Sequence, residues 1–310
     1  MSIAIVTGCD ANYYPLLKEL IASIRQFDAS KSFDICVIDS GLLPEQVDEL
    51  YQTVSKVVAP EWPAEIPTER TAGYEYLKAC ICRPFIPELF PGYEMYLWLD
   101  ADTWVQRWSA IEMFIEAAKS GDRVSLTNGA DRAYGKLIRI SWFLHWPRKV
   151  KNFYSSNGRK PFGKSFAKNM VAEYVVSAGC FAMTATAPHW KRWQELVVEA
   201  ATKGKLFPAE QLALGKLIHI EGYRAELLPA YTHWLCEFKP KWDAERKLFV
   251  EPYMPHEPLG VLHLSGVDEM RADRSVKVTL ETVEGQAHEI NYRYPGFDGG
   301  ALKHGKPTRI

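Results

Sequence analysis

The chain has 310 residues, with 37 lysines and arginines against 38 aspartates and glutamates, and a net charge of −1. Hydrophobic residues make up 47% of the chain and charged residues 24%, a composition that excludes global disorder, a collagen-like fibre and a coiled coil. The near-zero net charge argues against a dedicated nucleic-acid-binding protein, since such proteins are usually strongly basic. The length suits one large α/β domain or two small ones.

The first sixty residues alternate between strand and helix patterns. Short apolar runs at residues 3–7, 33–38 and 56–59 predict buried strands. Between them, helical spacing after Pro15 and over residues 44–54 predicts two helices, each with a proline in its first turn. This β-α-β-α-β order predicts a parallel sheet with helices on its faces.

A central strand is predicted at Met95–Leu99, after helical sequence between residues 71 and 89 that Pro84 interrupts. The run Met-Tyr-Leu-Trp-Leu is apolar, too short for a helix and bounded by turn residues. Further elements are predicted as a helix at 111–118, a strand at 123–126, an apolar run at 174–183, helices near 188–202 and 208–218, and strands at 260–264 and after residue 274.

Six cysteines are present and none forms a Cys-x-x-Cys pair, so we expect reduced thiols in or near the core. The N-terminus shows no signal-peptide pattern, and no stretch reaches 18 uninterrupted apolar residues. These observations predict a cytoplasmic protein without a membrane span.

Two aspartates, Asp100 and Asp102, directly follow the predicted central strand. In open α/β sheets, ligands bind outside the carboxyl ends of the strands. Two buried carboxylates without partners are costly, and Mg²⁺ or Mn²⁺ removes that cost because these ions prefer carboxylates together with phosphate oxygens. The strand context therefore favours a metal site over a solvated acidic turn. A cation held there can neutralise a diphosphate leaving group.

Six motifs, in this order along the chain, resemble those of glycosyltransferase family 8. They are Thr7-Gly-Cys-Asp-Ala-Asn-Tyr13, Leu97-Trp-Leu-Asp-Ala-Asp102, Val176-Ser-Ala-Gly-Cys-Phe-Ala-Met183, Phe207-Pro-Ala-Glu-Gln211, Leu228-Pro-Ala-Tyr-Thr-His-Trp234 and Val261-Leu-His-Leu-Ser-Gly266. The resemblance implies a GT-A-like (Rossmann-like) α/β fold with a mostly parallel sheet flanked by helices. Residues 1–270 would form the glycosyltransferase domain and residues 271–310 a C-terminal extension.

The same resemblance implies the metal ligands and the catalytic positions. Asp100, Asp102 and His263 match the residues that hold Mn²⁺ or Mg²⁺, and a neutral imidazole is a plausible Mn²⁺ ligand beside two carboxylates. Gln211 matches a residue near the reacting carbon, and Glu210 matches the neighbouring acid that orients the donor sugar.

The resemblance further implies a set of donor-binding residues. These are Thr7, Asp10, Asn12, Tyr13, Lys78, Arg83, Asp100, Ser177, Gly179 and Gly266. Asp10 and Asn12 match positions that hydrogen-bond the base and ribose, although both residue types also form turns. Tyr13 or the next tyrosine could pack against the base. Arg83 has the spacing of a donor-contacting cation, with Lys78 as the alternative.

Several residues depart from the family pattern. Ser177 and His233 stand where the family usually has asparagine, and Glu210 stands where it has aspartate. The late lysine that holds the diphosphate falls near Glu269 here, and Arg271 or Arg274 could substitute for it.

A basic segment spans residues 132–168 and contains ten lysines and arginines but no aspartate or glutamate. Its aromatic residues are Trp142, Phe143, Trp146, Phe153, Tyr154, Phe162 and Phe166. Aromatic faces stack on sugar rings, and cations attract phosphates and carboxylates. We expect an acceptor-side insertion that binds an anionic or lipid-linked glycan. The same segment would make peripheral contact with the inner membrane face. The alternative is a helical lid with a solvated basic face. Nucleic acid is disfavoured because the remaining chain is acidic.

Together these patterns predict a metal-dependent enzyme that moves a hexose from a nucleotide sugar, UDP-linked, to a glycan or lipid-linked acceptor with retention. A sugar-phosphate nucleotidyltransferase is an alternative, but its triphosphate loop should be rich in glycine and contain a cation. The loop after the first strand has one glycine and no cation. A non-catalytic nucleotide-sugar-binding protein is the other alternative.

Overall fold

A computed structural model describes residues 1–134 and 139–295. Residues 135–138 of the basic segment and residues 296–310 of the predicted C-terminal extension lie outside the described residues. In the described residues the strands are β1 (Ile3–Cys9), β2 (Asp34–Asp39), β3 (Lys56–Val58), β4 (Met95–Leu99), β5 (Thr103–Val105), β6 (Arg123–Asn128), β7 (Arg139–Phe143), β8 (Trp146–Lys151), β9 (Val176–Thr184), β10 (Arg224–Leu228), β11 (His233–Leu235), β12 (Lys241–Asp243), β13 (Leu248–Val250), β14 (Val261–His263), β15 (Val278–Glu281) and β16 (Ala287–Ile290).

The α-helices of the same part of the chain lie between these strands. They are α1 (Tyr14–Arg25), α2 (Pro44–Leu50), α3 (Thr68–Thr71), α4 (Lys78–Ile81), α5 (Ile86–Leu89), α6 (Trp108–Ala118), α7 (Phe153–Asn157), α8 (Arg159–Asn169), α9 (His189–Lys203), α10 (Ala209–His219) and α11 (Asp268–Ala272). The helical sequence before β4 forms short pieces because its prolines cannot donate the backbone hydrogen bonds of a longer helix. No helix of the described residues has the length and apolarity needed to cross a bilayer.

The main sheet has seven strands in the order β10-β6-β9-β4-β1-β2-β3. The predicted parallel arrangement is confirmed for β1, β2, β3 and β4. Strand β9 runs antiparallel between β4 and β6, so the sheet is mostly but not entirely parallel. The sequence did not predict the direction of β9, because a buried strand has the same apolar pattern whether it is parallel or antiparallel to its neighbours.

Strand β4 is central, as predicted, and all five of its residues are buried. Tyr96 and Trp98 pack into a core on one face of the sheet, and Leu97 and Leu99 pack into a second core on the other face. Burial on both faces explains the continuous apolar run, since a strand exposed on one face would alternate with polar residues. The predicted free thiols are confirmed: all six cysteines are unpaired, and five of them are buried.

A small three-stranded sheet, in the order β11-β14-β5, lies beyond the carboxyl end of β4. Strand β5 begins one residue after Asp102, and Thr103 pairs with His263 of β14. This pairing brings residues from the middle and the end of the chain to the place where the central strand stops.

The basic segment is not a helical lid over residues 139–151. Residues 139–151 form an antiparallel hairpin of β7 and β8, and only the following α7 and α8 are helical. The hairpin follows from its β-branched and aromatic residues, among them Ile140, Trp142 and Val150, which favour strands.

Residues 268–295 pack against the small sheet and α1. Trp104 of β5 donates an indole hydrogen bond to the Tyr292 carbonyl at 2.7 Å. Buried Glu19 of α1 accepts hydrogen bonds from Arg274 and Arg293. The predicted boundary between residues 270 and 271 falls inside α11, and the division into a domain and an extension stays a prediction.

Candidate active site

A cavity of about 670 Å³ opens beyond the carboxyl ends of β1 and β4. Most of the residues that the sequence singled out line it. These are Asp10, Asn12, Tyr13, Arg83, Asp100, Asp102, Ser177, Gly179, Glu210, Gln211, His263 and Gly266, together with Arg271. Thr7 and Lys78 do not line it: Thr7 is fully buried within β1, and Lys78 forms an ion pair with Glu75 at 2.8 Å.

Three potential metal ligands converge in this cavity. One oxygen of Asp100, one oxygen of Asp102 and a nitrogen of His263 lie within 4.8 Å of one another. The Nε2 atom of His263 is 3.3 Å from Asp102 Oδ1 and 3.9 Å from Asp100 Oδ2. Two carboxylates and one imidazole suit Mn²⁺, and the carboxylates also suit Mg²⁺. The donor set therefore fits the cation that the sequence predicted.

Each aspartate also pairs with an arginine, through the oxygen that is turned away from this set. Arg83 Nη2 donates to Asp100 Oδ1 at 2.7 Å, and Arg271 Nη1 donates to Asp102 Oδ2 at 2.8 Å. The oxygens that face His263 are Asp100 Oδ2 and Asp102 Oδ1. The arginines thus fix both carboxylates while leaving one oxygen of each directed at the histidine. Ligand orientation by an outer shell of this kind is common in metal sites.

The ionisation of the three residues reflects this crowding. Burial raises the pKa of Asp100, although Arg83 partly opposes that effect. Burial would also raise the pKa of Asp102, but the nearby His263 and Arg271 lower it well below the ordinary value. Burial would lower the pKa of His263, and the adjacent Asp102 instead raises it. The two carboxylates therefore favour positive charge beside them, which the raised pKa of His263 reflects.

Arg83 joins the predicted metal ligand Asp100 to Glu210 of the predicted catalytic pair. Its Nη1 atom donates to Glu210 Oε1 at 2.9 Å and to the Ala178 carbonyl at 2.6 Å, and its guanidinium lies 4.4 Å from the centre of the Trp98 ring. Burial raises the pKa of Glu210 to about 7, with Arg83 opposing and Asp100 adding to the rise. The other Glu210 oxygen accepts a hydrogen bond from the Gln211 backbone at 2.6 Å.

The chain is similar to known glycosyltransferases in part of its sequence and in its fold. Residues 4–117 match the model of the family described as glycosyl transferase family 8. The apo structure of the bifunctional glycosyltransferase WbbM superposes with a TM-score of 0.54 at 15% identity, covering 86% of this chain and 46% of that one. The galactosyltransferase LgtC in complex with donor and acceptor sugar analogs superposes with a TM-score of 0.52 at 14% identity, covering 86% of this chain and 88% of that one.

An active-site mutant of LgtC gives a TM-score of 0.50 at 14% identity, over 85% of this chain and 87% of that one. No curated protein sequence matches the chain. The family match over residues 4–117 indicates the class of the protein, and the superpositions show its fold. The chain is a family 8-like glycosyltransferase with the GT-A fold. It spans less than half the length of WbbM.

In this glycosyltransferase, two histidines are in contact beside the predicted metal set. The Nε2 atom of His233 is 3.0 Å from His263 Nδ1. On its other side, His233 Nδ1 lies 3.2 Å from the Thr127 hydroxyl and 3.4 Å from the Ser177 hydroxyl. The sequence identified His233 and Ser177 as separate departures from the family pattern and gave His233 no role in the site. Both departures fall within the ordered series of family motifs, and this was the sequence feature that could have linked the two residues.

The loop after β1 is ordered by its own polar residues. Asn12 Nδ2 donates to Asp10 Oδ2 at 2.9 Å, and the Tyr13 backbone N–H donates to Asp10 Oδ1 at 3.1 Å. Asp10 and Asn12 therefore act as turn formers and also line the cavity of the glycosyltransferase. Tyr13 lies under the Arg271 guanidinium, 5.7 Å from it, and burial raises the pKa of its hydroxyl.

Two glycines allow close approach at the site. A Cβ atom on Gly179 would lie 2.7 Å from Asp100 Oδ2 and 2.9 Å from His263 Cε1, so a side chain there would collide with two of the predicted metal ligands. Gly266 has a φ of +67°, which residues with side chains rarely adopt, and a Cβ there would lie 2.7 Å from Glu237 Cβ.

The structure distinguishes the two arginines that could substitute for the family's diphosphate-binding lysine. Arg271 lines the cavity beside Asp102, whereas Arg274 pairs with Glu19. Four aromatic residues also line the cavity: Tyr134, Phe153, Phe207 and Phe238. The sequence pointed to Phe153, in the basic segment, and gave the other three no acceptor role. Phe207 is half exposed, and that unusual exposure for a phenylalanine is visible only in the folded chain.

Proposed function

We propose that this family 8-like glycosyltransferase moves a hexose from a nucleotide sugar, UDP-linked, to a glycan or lipid-linked acceptor, with retention and with Mn²⁺ or Mg²⁺. The observation that carries the proposal is the convergence of Asp100, Asp102 and His263 in one cavity. LgtC, which shares the fold, is named a galactosyltransferase and was solved with donor and acceptor sugar analogs.

Asp100, Asp102 and His263 would hold the cation, which when bound neutralises the negative charge that develops on a departing nucleoside diphosphate. Arg83 and Arg271 orient the two aspartates and screen their charge. Arg271, beside Tyr13 on the cavity wall, is also placed to meet a diphosphate.

The remaining residues support positioning rather than strong base catalysis. Both carboxylate oxygens of Glu210 already accept hydrogen bonds, one from Arg83 and the other from the Gln211 backbone N–H. In retention by front-face attack the leaving diphosphate can take that proton, and the protein mainly positions the two sugars and screens charge. Gln211 lines the same cavity and is our candidate for contact near the reacting carbon.

The acceptor would lie against the aromatic residues that line the cavity, which are Tyr134, Phe153, Phe207 and Phe238. Phe207 and Phe153 offer faces on which a sugar ring can stack. Asp10 and Asn12, on the loop after β1, are our candidates for contact with the base and ribose of the donor.

The proposal is tested with UDP-, GDP- and CMP-sugars as donors. For each donor, the melting temperature and the release of nucleotide are measured once with Mn²⁺ and once with a chelator. A UDP-hexose should raise the melting temperature only with the cation, because a ligand that binds the folded state stabilises it by mass action. Asp102→Asn should lower turnover by at least about 100-fold, since charge stabilisation at the leaving group is a large part of such catalysis.

Asp243→Asn is the matched control, because Asp243 is also buried and paired with an arginine but lies outside the cavity. It should leave turnover unchanged. Metal-dependent donor binding without any turnover would indicate a non-catalytic nucleotide-sugar-binding protein. Unchanged turnover in Asp102→Asn would refute the metal assignment.

A further inference from the structure

The β7–β8 hairpin ends in four large apolar side chains that project into solvent. This hairpin tip consists of Trp142, Phe143, Leu144 and Trp146, which are 62%, 60%, 75% and 77% exposed. Behind the tip, Ile140 and Val150 pair across the strands and are also exposed. Contiguous exposed apolar side chains of this size are unusual on a protein surface and indicate an interaction site.

The turn at the tip departs from ordinary hairpin chemistry. Leu144 and His145 have φ angles of 45° and 67°, a left-handed conformation that hairpin turns normally assign to asparagine or glycine. A leucine at such a position is unfavourable for the turn itself. Its side chain, which contacts solvent, therefore serves something other than local folding.

The base of the hairpin, in contrast, is fixed to the domain. Asn152 is buried, accepts a hydrogen bond from the Ser155 backbone and donates to the carbonyls of Met170 and Glu173 at 2.7 and 3.0 Å. The next residue, Phe153, lines the cavity. The hairpin is thus held beside the cavity while its tip stands free.

The charges of the basic segment indicate the kind of surface that the hairpin would bind. Residues 132–168 contain ten cations and no acid. Five of these cations are exposed and have no ion pair within residues 1–134 and 139–295: Lys151 at the end of β8, and Arg159, Lys160, Lys164 and Lys168 on α8. A second copy of the same patch would repel this one, whereas an anionic surface would attract it. Tryptophan and phenylalanine next to lysine and arginine form the pattern of membrane-interface segments.

We propose that the hairpin docks the chain on an anionic lipid bilayer, with its tip in the headgroup region and the exposed cations on the headgroups. This inference goes beyond the proposed function: it places the mouth of the cavity next to a membrane and requires neither donor nor turnover.

The test is co-sedimentation of the full chain with vesicles of phosphatidylcholine alone and with vesicles containing about one third phosphatidylglycerol. We expect binding to the anionic vesicles only, and weaker binding as NaCl rises from about 50 to about 500 mM, because salt screens exposed charges. The variant Trp142→Ser, Phe143→Ser, Trp146→Ser should partition at least about tenfold less, since it removes most of the inserted apolar area.

Tyr51→Ser is the matched control, because Tyr51 is 60% exposed but lies at the end of α2, outside the basic segment. It should bind vesicles like the unmodified chain. Melting temperature and donor-induced stabilisation of the hairpin variant should be unchanged, which shows that the fold and the donor site are intact. Absence of binding to anionic vesicles at low salt, or full binding by the hairpin variant, would overturn the proposal.

Discussion

His233 has its two ring nitrogens between His263 on one side and the hydroxyls of Thr127 and Ser177 on the other. If His263 Nε2 faces a cation, its hydrogen must be on Nδ1, which then donates to His233 Nε2. His233 in turn carries its hydrogen on Nδ1, directed at the two hydroxyls. Burial lowers the pKa of His233 well below its ordinary value, which keeps this ring neutral and able to accept.

We therefore predict that His233→Ala weakens Mn²⁺ binding about 10- to 100-fold, the usual effect of removing an outer-shell partner of a histidine ligand. The measurement is Mn²⁺ titration followed by electron paramagnetic resonance, which needs no substrate. His288→Ala serves as control, since this exposed histidine stacks on Trp242 away from the cavity. Equal affinities in both variants would contradict the positioning role.

Glu210 leads to a prediction of how the free energy of unfolding depends on pH. Its pKa rises from about 4.5 to about 7 on folding because it is buried. The folded state then binds more protons than the unfolded state between these pH values, so this residue's contribution to the free energy of unfolding falls as pH rises.

Between pH 5.5 and 7.5 that contribution should decrease by about 1–2 kcal/mol. Urea unfolding of the unmodified chain and of Glu210→Gln at both pH values measures this contribution. It is the difference in the free energy of unfolding between the two proteins at each pH. A difference that is the same at both pH values would show that Glu210 does not titrate in this window.

At the scale of elements, the site depends on how closely β9 approaches β4 and β14. Gly179 lies in β9 with Asp100 and His263 directly above its Cα atom. The Asp100 backbone N–H also donates to the Gly179 carbonyl at 2.9 Å. A strand glycine commonly marks such a close approach.

Gly179→Ala should accordingly displace Asp100 or His263 and abolish detectable Mn²⁺ binding, while the chain still folds. Mn²⁺ titration together with the melting temperature checks this outcome. Mn²⁺ binding at the original affinity would show that the neighbouring side chains can move aside without loss of the site.

At the scale of the whole molecule, the C-terminal part is tied to α1 through Glu19. This buried carboxylate accepts hydrogen bonds from Arg293, which is also buried, and from Arg274. The contacts span more than 250 residues of sequence, and they support the position of Arg271 in the cavity, since α11 lies between β14 and these arginines.

Glu19→Gln should lower the free energy of unfolding by about 3–5 kcal/mol, because it leaves buried positive charge without its partner. Glu49→Gln, which removes an exposed partner of Lys18, should cost less than about 1 kcal/mol. Chemical denaturation measures both values. A loss in Glu19→Gln no greater than in Glu49→Gln would mean that the C-terminal contacts contribute little to stability.

The sequence by itself determined the elements that a local pattern encodes. The first three strands and the buried β4 were predictable because apolar runs bounded by turn residues leave few alternatives. The motif order likewise indicated the family, and the two aspartates after β4 indicated a candidate metal site. Free thiols followed from the cysteine spacing.

Only the tertiary structure decided which residues meet across long sequence separations. Arg271 is 169 residues from Asp102, and His233 is 30 residues from His263, so no local pattern links them. The antiparallel direction of β9 and the exposed tip of the hairpin were also undetermined by the sequence. Buried strands look alike in both directions, and an aromatic residue looks the same whether it packs in a core or projects into solvent.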